Sequence, residues 1–243
     1  YARKNNIKVY TPKTYKLNEI EDINFFHREK FDLGISTGWQ RLIPSLILDS
    51  FTNGVFGWHG SGFEFPNGRG RSPINWSIRL GLDTIYHNCF KYESGVDNGA
   101  IFEVEKIKIG EDEYIQDLLI KAKKHILNSS IRLIKAIKRK NLVLRRQPNH
   151  VWINLPKLSE KDGFLEPSII SFNQARNIVR SCSKPFQGAT LKSKDNVVYK
   201  IWNLEEYEKT KNINFDFGEI LIKEKKLIIK FIDNFGYSSD FEI

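Results

Sequence analysis

The 243-residue sequence contains no methionine and only two cysteines, Cys89 and Cys182. The cysteines are far apart and have no cysteine or histidine neighbours at metal-ligand spacing, so the sequence supports neither a disulfide scaffold nor a zinc site. No apolar run approaches the roughly 20 residues of a membrane-spanning helix, and we see no signal peptide. We therefore expect a cytoplasmic protein. Because the chain starts at Tyr1 and lacks methionine, we expect the natural N-terminus to lie upstream.

The composition is strongly basic, with a net charge of +9. Such a charge is compatible with a phosphorylated partner or a nucleic acid. Lysine, asparagine and isoleucine are abundant throughout, however, and we favour a general compositional bias as the explanation. The chain is 40% hydrophobic, which at this length predicts a real core in one large domain, or in a large and a small one.

The first part of the chain alternates predicted strands with predicted helices. We expect strands at 7–10, 32–37, 54–59, 84–92 and 100–109. We expect a helix capped by Asn18, a short one that begins at Pro44, one over about 72–80, and a long amphipathic one capped by Asp112 and ending near Lys140. This alternation predicts an α/β domain with a parallel, doubly wound sheet over 1–144.

The remaining sequence changes character. Residues 145–167 contain three prolines and little periodicity, which predicts a linker on the surface. A helix over about 171–182 and several short alternating segments follow. They predict a small, mostly β domain over 168–243, built as an antiparallel barrel or sheet.

Two residues are the best candidates for proton transfer. In open parallel sheets, ligands bind outside the carboxyl ends of the strands, and His59 ends the predicted strand GVFGWH. Asp97 lies in SGVDNG, a turn between two strands, and could face the same crevice. A histidine and a carboxylate together can move a proton near neutral pH. On spacing alone, a structural histidine and an ordinary turn aspartate remain open alternatives.

The segment HGSGFEFPNGRGRSPINW, residues 59–76, follows His59 directly. Its glycines allow close backbone approach, and Arg69 and Arg71 offer forked donors to a phosphate or a carboxylate. It is not a phosphate-binding P-loop, because the Gly-Lys-Ser/Thr ending is absent. An anion site and an exposed basic turn both remain open. We interpret the other histidines, His27, His87, His125 and His150, as surface or packing residues.

Several motifs resemble the formyltransferases that use 10-formyltetrahydrofolate. HGS (59–61), GRGRSPINW (68–76) and ESGVDNGAI (93–101) are similar to that family's conserved pattern, and NIKVYTPK, DLGISTGWQRLIP, LPKLSEKDG and RSCSKPFQGA follow its order over nearly the whole chain. The resemblance implies a Rossmann-like parallel sheet whose first strand, helix and strand are missing here, followed by a small OB-like C-terminal domain.

The resemblance also implies a catalytic trio of asparagine, histidine and aspartate. The histidine corresponds to His59 and the aspartate to Asp97, but the asparagine position holds Gly57. That asparagine normally helps to hold the formyl oxygen, and loss of such a donor costs about 2.7 to 4 kcal/mol in other enzymes. Another donor, such as Asn75 or the backbone, could replace it; otherwise the site is weakened or has changed its chemistry.

The resemblance implies two ligands and no metal. For 10-formyltetrahydrofolate, the formyl donor, we expect contacts with Trp39, Leu42, Ile43 and Tyr92, although Trp39 and Leu42 could equally be core residues. GRGRSPINW and VDNGAI look closer to the enzymes that formylate nucleotide-linked amino sugars. We therefore expect such an acceptor, contacted by Arg69, Arg71 and Asn75.

Two alternatives to this function stay open. Methionyl-tRNA formyltransferase is favoured by the charge and by the C-terminal β domain, which in that enzyme helps to hold tRNA. An altered relative that binds a ligand without formyl transfer is suggested by Gly57. The oligomeric state cannot be derived from the sequence.

Overall fold

The structure is a computed structural model that describes residues 1–149, 153–208 and 215–243. In these residues the α-helices are α1 (Ile20–Glu29), α2 (Ser45–Leu48), α3 (Pro73–Arg79), α4 (Ile115–Lys138) and α5 (Phe172–Cys182). The strands are β1 (Gly34–Ile35), β2 (Val55–Ser61), β3 (Arg69–Gly70), β4 (Thr84–Lys91), β5 (Ile101–Lys108), β6 (Asn154–Leu155), β7 (Ala189–Lys192), β8 (Val198–Ile201), β9 (Glu205–Glu206), β10 (Ile220–Lys223), β11 (Lys226–Lys230), β12 (Phe235–Ser238) and β13 (Phe241–Glu242). Short 3-10 helices cover Arg3–Asn5 and Glu160–Gly163. None of the helices in these ranges is long and apolar enough to cross a membrane.

The principal sheet has the strand order β1-β2-β4-β5. β1 and β2 are parallel, with Gly34 opposite Val55 and Ile35 opposite Phe56. β4 leads into β5 through the turn 92–100, where the Lys91 N–H donates to the Ala100 carbonyl at 2.8 Å. The sheet is mixed, so the prediction of an α/β fold is confirmed while a purely parallel sheet is not. β2 is buried on nearly every residue, as expected for an inner strand covered on both faces.

The described residues group into two compact units. The first comprises 1–59, 88–104 and 128–149, and the second comprises 60–87, 105–127 and the described residues from 153 onward. The core of the first is formed by Phe56, Cys89 and Leu133. The second has one core around Ile78, Ile85 and Ile115 and another around α5 and the C-terminal strands. The domain boundaries expected near 144 and 167 stay predictions.

The strand predicted at 7–10 is wrong, because these residues have no regular secondary structure. Side-chain packing fixes this segment instead. The Tyr10 ring stacks on Phe25 with centroids 3.7 Å apart, and its hydroxyl donates to Asp22 at 2.5 Å. The strand predicted at 32–37 exists but is only the two residues of β1.

The long helix α4 begins at Ile115, two residues later than its predicted cap implies. Asp112 forms an ion pair with Arg176 at 2.6 Å instead. Asp117 accepts from the backbone N–H of Tyr114 at 2.9 Å, so a carboxylate inside the first turn satisfies a donor at the helix start. The predicted amphipathic helix is otherwise confirmed.

The C-terminal part contains α5 and two small antiparallel sheets. The helix predicted over about 171–182 is confirmed as α5, which begins with a capping box in which Ser171 and Gln174 bond each other's backbone N–H groups. One sheet has the order β10-β11-β12-β9 and the other β13-β8-β7. A mostly β segment is therefore confirmed, and an OB-like barrel stays a prediction.

The segment predicted as a linker is bonded to the arginine-bearing loop. β6 pairs in parallel with β3, with Arg69 opposite Asn154 and Gly70 opposite Leu155. Gly70 has a φ of +114°, and a Cβ there would overlap the Leu155 carbonyl, so the pairing requires glycine. The Trp76 indole N–H also donates to the Pro156 carbonyl at 2.8 Å. These bonds hold residues 67–76 and 153–158 together.

Candidate active site

His59 lies near the carboxyl end of β2, as the sequence predicts. Its side chain is 7% exposed, and its carbonyl accepts from the Asn88 side chain of the neighbouring β4 at 3.5 Å. The apolar sequence before it forms a buried strand because aliphatic and aromatic side chains cover both faces. The fold thus holds the imidazole at a fixed point on the principal sheet.

Asp97 lies in the turn between β4 and β5 and reaches His59. Its Oδ2 is 3.3 Å from the His59 Nδ1, and its side chain is 23% exposed. The residue adopts a left-handed conformation with φ +49°, which aspartate tolerates better than most residues. The structure therefore brings together the two residues that the sequence singled out for proton transfer.

Gln147 fixes this turn, and sequence analysis gave no sign of it. Its side-chain N–H groups donate to the Asp97 carbonyl at 2.9 Å and to the Gly99 carbonyl at 2.7 Å. A pair of backbone bonds between Ile101 and Arg145, each 2.8 Å long, brings the segment of Gln147 beside the start of β5. Gln147 thereby stabilises a backbone conformation that is otherwise sparsely populated.

The His59–Asp97 arrangement suits acid–base chemistry. An imidazole exchanges protons near neutral pH, and a carboxylate on one ring nitrogen orients the ring and stabilises its cationic form. Asp97 contacts the ring at Nδ1, so the carboxylate favours the tautomer that carries its proton on this nitrogen.

The ring of Tyr92 occupies the space beside Gly57. A Cβ placed on Gly57 would overlap the Tyr92 hydroxyl, Cζ and Cε1. The Tyr92 backbone N–H donates to the Val55 carbonyl at 2.7 Å, which fixes the residue against β2. Burial is the main reason that the pKa of Tyr92 is raised, and the nearby charge of Asp97 raises it further. Its hydroxyl is thus protonated, and so a donor, across the neutral range.

The remaining predicted donor contacts lie in the loop after β1. Leu42 is 58% exposed, whereas Ile43 and Trp39 are partly buried. The Trp39 ring packs against Tyr15 with centroids 4.4 Å apart, and its indole N–H is buried without an acceptor in the described parts of the chain. Trp39 is therefore a packing residue with an unused donor, and its ligand role stays a prediction.

The predicted acceptor contacts all lie in the second unit. Arg69 is in β3, and Arg71, just after it, has an exposed side chain. The Asn75 side chain donates to the Ser181 carbonyl at 2.7 Å, which ties α3 to α5. Asn75 thus has a structural bond that the sequence did not reveal, and the substrate roles of all three residues stay predictions.

A second buried imidazole site contains His87 of β4 and His125 of α4. Their Nδ1 atoms are 2.6 Å apart, and the Nε2 of His125 is 3.6 Å from the Glu105 carboxylate. His125 is therefore a packing residue and not a surface residue. The contact between the two rings ties β4 to α4 inside the core.

No family model matches the chain. A methionyl-tRNA formyltransferase from Prochlorococcus marinus subsp. pastoris is 29% identical over 243 residues, which cover 97% of this chain and 72% of that protein. The bifunctional polymyxin resistance protein ArnA from Wigglesworthia glossinidia brevipalpis is 27% identical over 234 residues, which cover 92% of this chain and 34% of that protein. The chain thus spans about a third of the length of ArnA.

Solved structures show the same fold at lower identity. A HypX variant from Aquifex aeolicus superposes with a TM-score of 0.74 and 16% identity, covering 97% of this chain and 38% of HypX. The N-formyltransferase from Helicobacter canadensis, bound to folinic acid and dTDP-3-aminofucose, gives 0.68 and 18% identity, covering 99% of this chain and 81% of that enzyme. The sequence relatives of this chain and its fold together support an assignment to the formyltransferase family.

Proposed function

We propose that the protein transfers a formyl group from 10-formyltetrahydrofolate to the primary amine of a nucleotide-linked amino sugar. The observation that carries this proposal is the 3.3 Å contact between His59 Nδ1 and Asp97 Oδ2 in a chain of the formyltransferase family. Formyl transfer needs a group that removes a proton from the attacking amine, and an imidazole supported by a carboxylate is suited to that step.

His59 and Asp97 have different roles in the proposed reaction. Bound 10-formyltetrahydrofolate would supply the formyl carbon. His59 accepts the proton that the acceptor amine loses as its nitrogen bonds to that carbon. The bond from the carbon to the folate nitrogen then breaks, and the same proton passes to the departing nitrogen. Asp97 keeps the His59 ring oriented and stabilises its charge between the two proton transfers.

The loop after β1 has the properties that a folate ring requires. Exposed Leu42 offers an apolar surface, and the indole N–H of Trp39, three residues earlier, is an unused hydrogen-bond donor. A flat heteroaromatic ring with nitrogen and oxygen atoms uses both kinds of group. We propose that Trp39, Leu42, Ile43 and Tyr92 contact the donor.

The motifs around the acceptor favour an amino sugar. GRGRSPINW and VDNGAI resemble the enzymes that act on nucleotide-linked sugars, and the Helicobacter canadensis relative was crystallised with dTDP-3-aminofucose. Arg69 and Arg71 are suited to its phosphates, because a guanidinium donates two parallel hydrogen bonds to phosphate oxygens.

A panel assay tests the proposal. The protein is incubated with 10-formyltetrahydrofolate and, separately, with dTDP-linked amino sugars, UDP-linked amino sugars or initiator methionyl-tRNA, and products are identified by mass spectrometry. We expect formylation of at least one amino sugar and none of its N-acetylated form, which lacks a free amine. Turnover of the tRNA alone would exclude the amino-sugar acceptor.

Methionyl-tRNA formyl transfer is the second candidate. It is favoured by the first relative, which is 29% identical and of which this chain covers 72%, and by the net charge of +9. This function predicts tRNA binding that weakens steeply with salt, because neutralised phosphates release counterions. Salt-independent or undetectable tRNA binding would argue against it.

A third possibility, suggested by Gly57, is a relative that binds ligands without formyl transfer. In that case the donor and a sugar nucleotide would bind while the whole panel gave no product.

A further inference from the structure

Position 57 and His59 share one face of β2. Successive side chains of a strand point to opposite faces, so residues two apart point the same way, roughly 6.6 Å apart along the strand. A side chain at position 57 would therefore project beside the His59 imidazole. Gly57 has none, and it contributes only its backbone to this face.

The hydroxyl end of Tyr92 fills that space. A Cβ on Gly57 would overlap the Tyr92 hydroxyl, Cζ and Cε1, so the phenol edge lies where the first atoms of a side chain would be. The glycine is thus the residue that allows Tyr92 to adopt this position. A polar group belonging to position 92 stands on the same face as His59.

Tyr92 is held firmly and carries a proton. Its backbone N–H bonds to the Val55 carbonyl at 2.7 Å, and its ring contacts Phe90 with centroids 5.4 Å apart. Burial raises the pKa of its hydroxyl, and the negative charge of Asp97 acts in the same direction. The hydroxyl can therefore donate a hydrogen bond without giving up its proton.

We propose that the Tyr92 hydroxyl donates the hydrogen bond that holds the formyl oxygen during transfer, from the place that Gly57 leaves open. This inference rests on the proposed formyl-transfer function. As the amine bonds to the formyl carbon, the carbonyl electron pair moves to the oxygen, and the Tyr92 O–H stabilises the negative charge. The pair returns when the bond to the folate nitrogen breaks, and Tyr92 keeps its proton throughout.

Replacement of the hydroxyl alone tests the role in catalysis. Tyr92→Phe keeps the ring and removes the donor, so we expect kcat to fall about 10²- to 10³-fold with KM for the formyl donor nearly unchanged. Tyr86→Phe is the matched control, because Tyr86 lies on β4, six residues before Tyr92, and its ring, which Lys106 contacts at 5.3 Å, is retained. We expect this control to match the wild type.

Infrared spectroscopy gives a readout that does not depend on turnover. With a ¹³C-formyl donor bound and no acceptor present, a hydrogen bond to the formyl oxygen lowers the carbonyl stretching frequency. We expect this lowering in the wild type and in Tyr86→Phe, and its loss in Tyr92→Phe. Equal frequencies in wild type and Tyr92→Phe would overturn the inference.

A rescue variant tests the link between positions 57 and 92. Tyr92→Ala removes the ring and opens the space beside Gly57, and adding Gly57→Asn returns a side-chain donor to that face. We expect the double variant to recover at least about tenfold in kcat over Tyr92→Ala, the effect of one hydrogen bond of ordinary strength. No recovery would overturn the view that Tyr92 stands in for a side chain at position 57.

The outcomes separate this inference from the function on which it rests. If the wild type formylates no acceptor of the panel, the proposed function fails and this inference fails with it. If the wild type is active and Tyr92→Phe retains kcat within about twofold, only the role of Tyr92 is overturned, since a lost donor should cost far more.

Discussion

The described residues contain two buried imidazole sites with different partners. His59 is 7% exposed and faces the Asp97 carboxylate, which lies in a turn and is itself partly open to solvent. His87 and His125, 3% and 1% exposed, face each other through their Nδ1 atoms at 2.6 Å. Burial alone therefore does not distinguish a candidate catalytic histidine from a structural one.

The difference lies in the group that faces Nδ1 at each site. A carboxylate in that place stabilises an imidazolium, so His59 can accept a proton and release it again. The two Nδ1 atoms of His87 and His125 instead share one proton, which one nitrogen donates and the other accepts. The first site is suited to chemistry and the second to holding β4 and α4 together.

Replacement of His59 should separate the two sites most clearly. We expect His59→Gln to lower kcat/KM for formyl transfer by about 10²- to 10⁴-fold, because the group that moves the proton is lost. Steady-state kinetics measure this, and urea unfolding checks that the variant is folded. A kcat/KM within tenfold of the wild type would mean that His59 is not the proton acceptor.

Asp97→Asn should have a smaller effect, a loss of about 10²-fold in kcat/KM. Asparagine tolerates the left-handed conformation that Asp97 adopts, so the turn is retained while the negative charge is removed. The pH dependence of kcat/KM provides the check. If the profile and its maximum are unchanged, the carboxylate does not support His59.

Gln147→Leu should lower kcat by about tenfold and leave KM for the donor unchanged. The substitution removes the donors to the Asp97 and Gly99 carbonyls, each worth about 0.5–1.5 kcal/mol, and so loosens the position of Asp97. Gln147 acts through Asp97 and does not need to contact a ligand. Gln116→Leu, on an exposed position of α4, is the matched control. Equal kcat values for the two variants would contradict this positioning role.

His125→Phe should lower stability and leave activity nearly unchanged, the opposite of the effect expected for His59→Gln. It leaves the buried Nδ1 of His87 without its partner, so we expect a loss of about 1–3 kcal/mol in the free energy of unfolding. We expect kcat/KM to stay within about threefold of the wild type. Urea unfolding and kinetics on the same preparation compare the two quantities. Strong loss of activity without loss of stability would place this pair in the catalytic machinery.

The two thiols should be unreactive in the folded protein, because Cys89 is buried and Cys182 is partly buried, and burial outweighs the nearby arginine charges. Burial raises the pKa of Cys89 and of Cys182 to about 12. In the unfolded chain both titrate near about 8.5, so their contribution to stability is complete below that pH and is lost as the pH rises towards 12. We expect slow thiol labelling of the folded protein at pH 8 and rapid labelling in urea. Rapid labelling of the folded protein would contradict this.

The sequence was sufficient to select His59 and Asp97, but not to predict the residues that hold them in place. His59 follows an apolar strand and Asp97 lies in a glycine-flanked turn, so local patterns and the family resemblance were enough to select both. Gln147 had no local signal, because its bonds to Asp97 and Gly99 join distant parts of the chain through an ordinary amide. Tyr92 was predicted as a ligand contact, but its position in the space of Gly57 depends on tertiary packing.

Contacts between residues far apart in the chain also explain the errors in the predicted secondary structure. The alternating residues 7–10 have the pattern of a strand, but the stacking of Tyr10 on Phe25 and its bond to Asp22 decide their conformation. Asp112 has the residue type of a helix cap, but its ion pair with Arg176 employs it elsewhere. In both places a contact with a distant residue outweighs a local preference.

The pairing of β3 with β6 bears on how the arginine-bearing loop of this protein can be exchanged. Gly70 has no room for a side chain beside the Leu155 carbonyl, and Trp76 needs the carbonyl of Pro156. If residues 67–76 alone were replaced by the loop of a relative, the new loop would not match residues 153–158, with which it has to pair. Residues 67–76 and 153–158 should therefore be exchanged together, although they are encoded far apart in the gene.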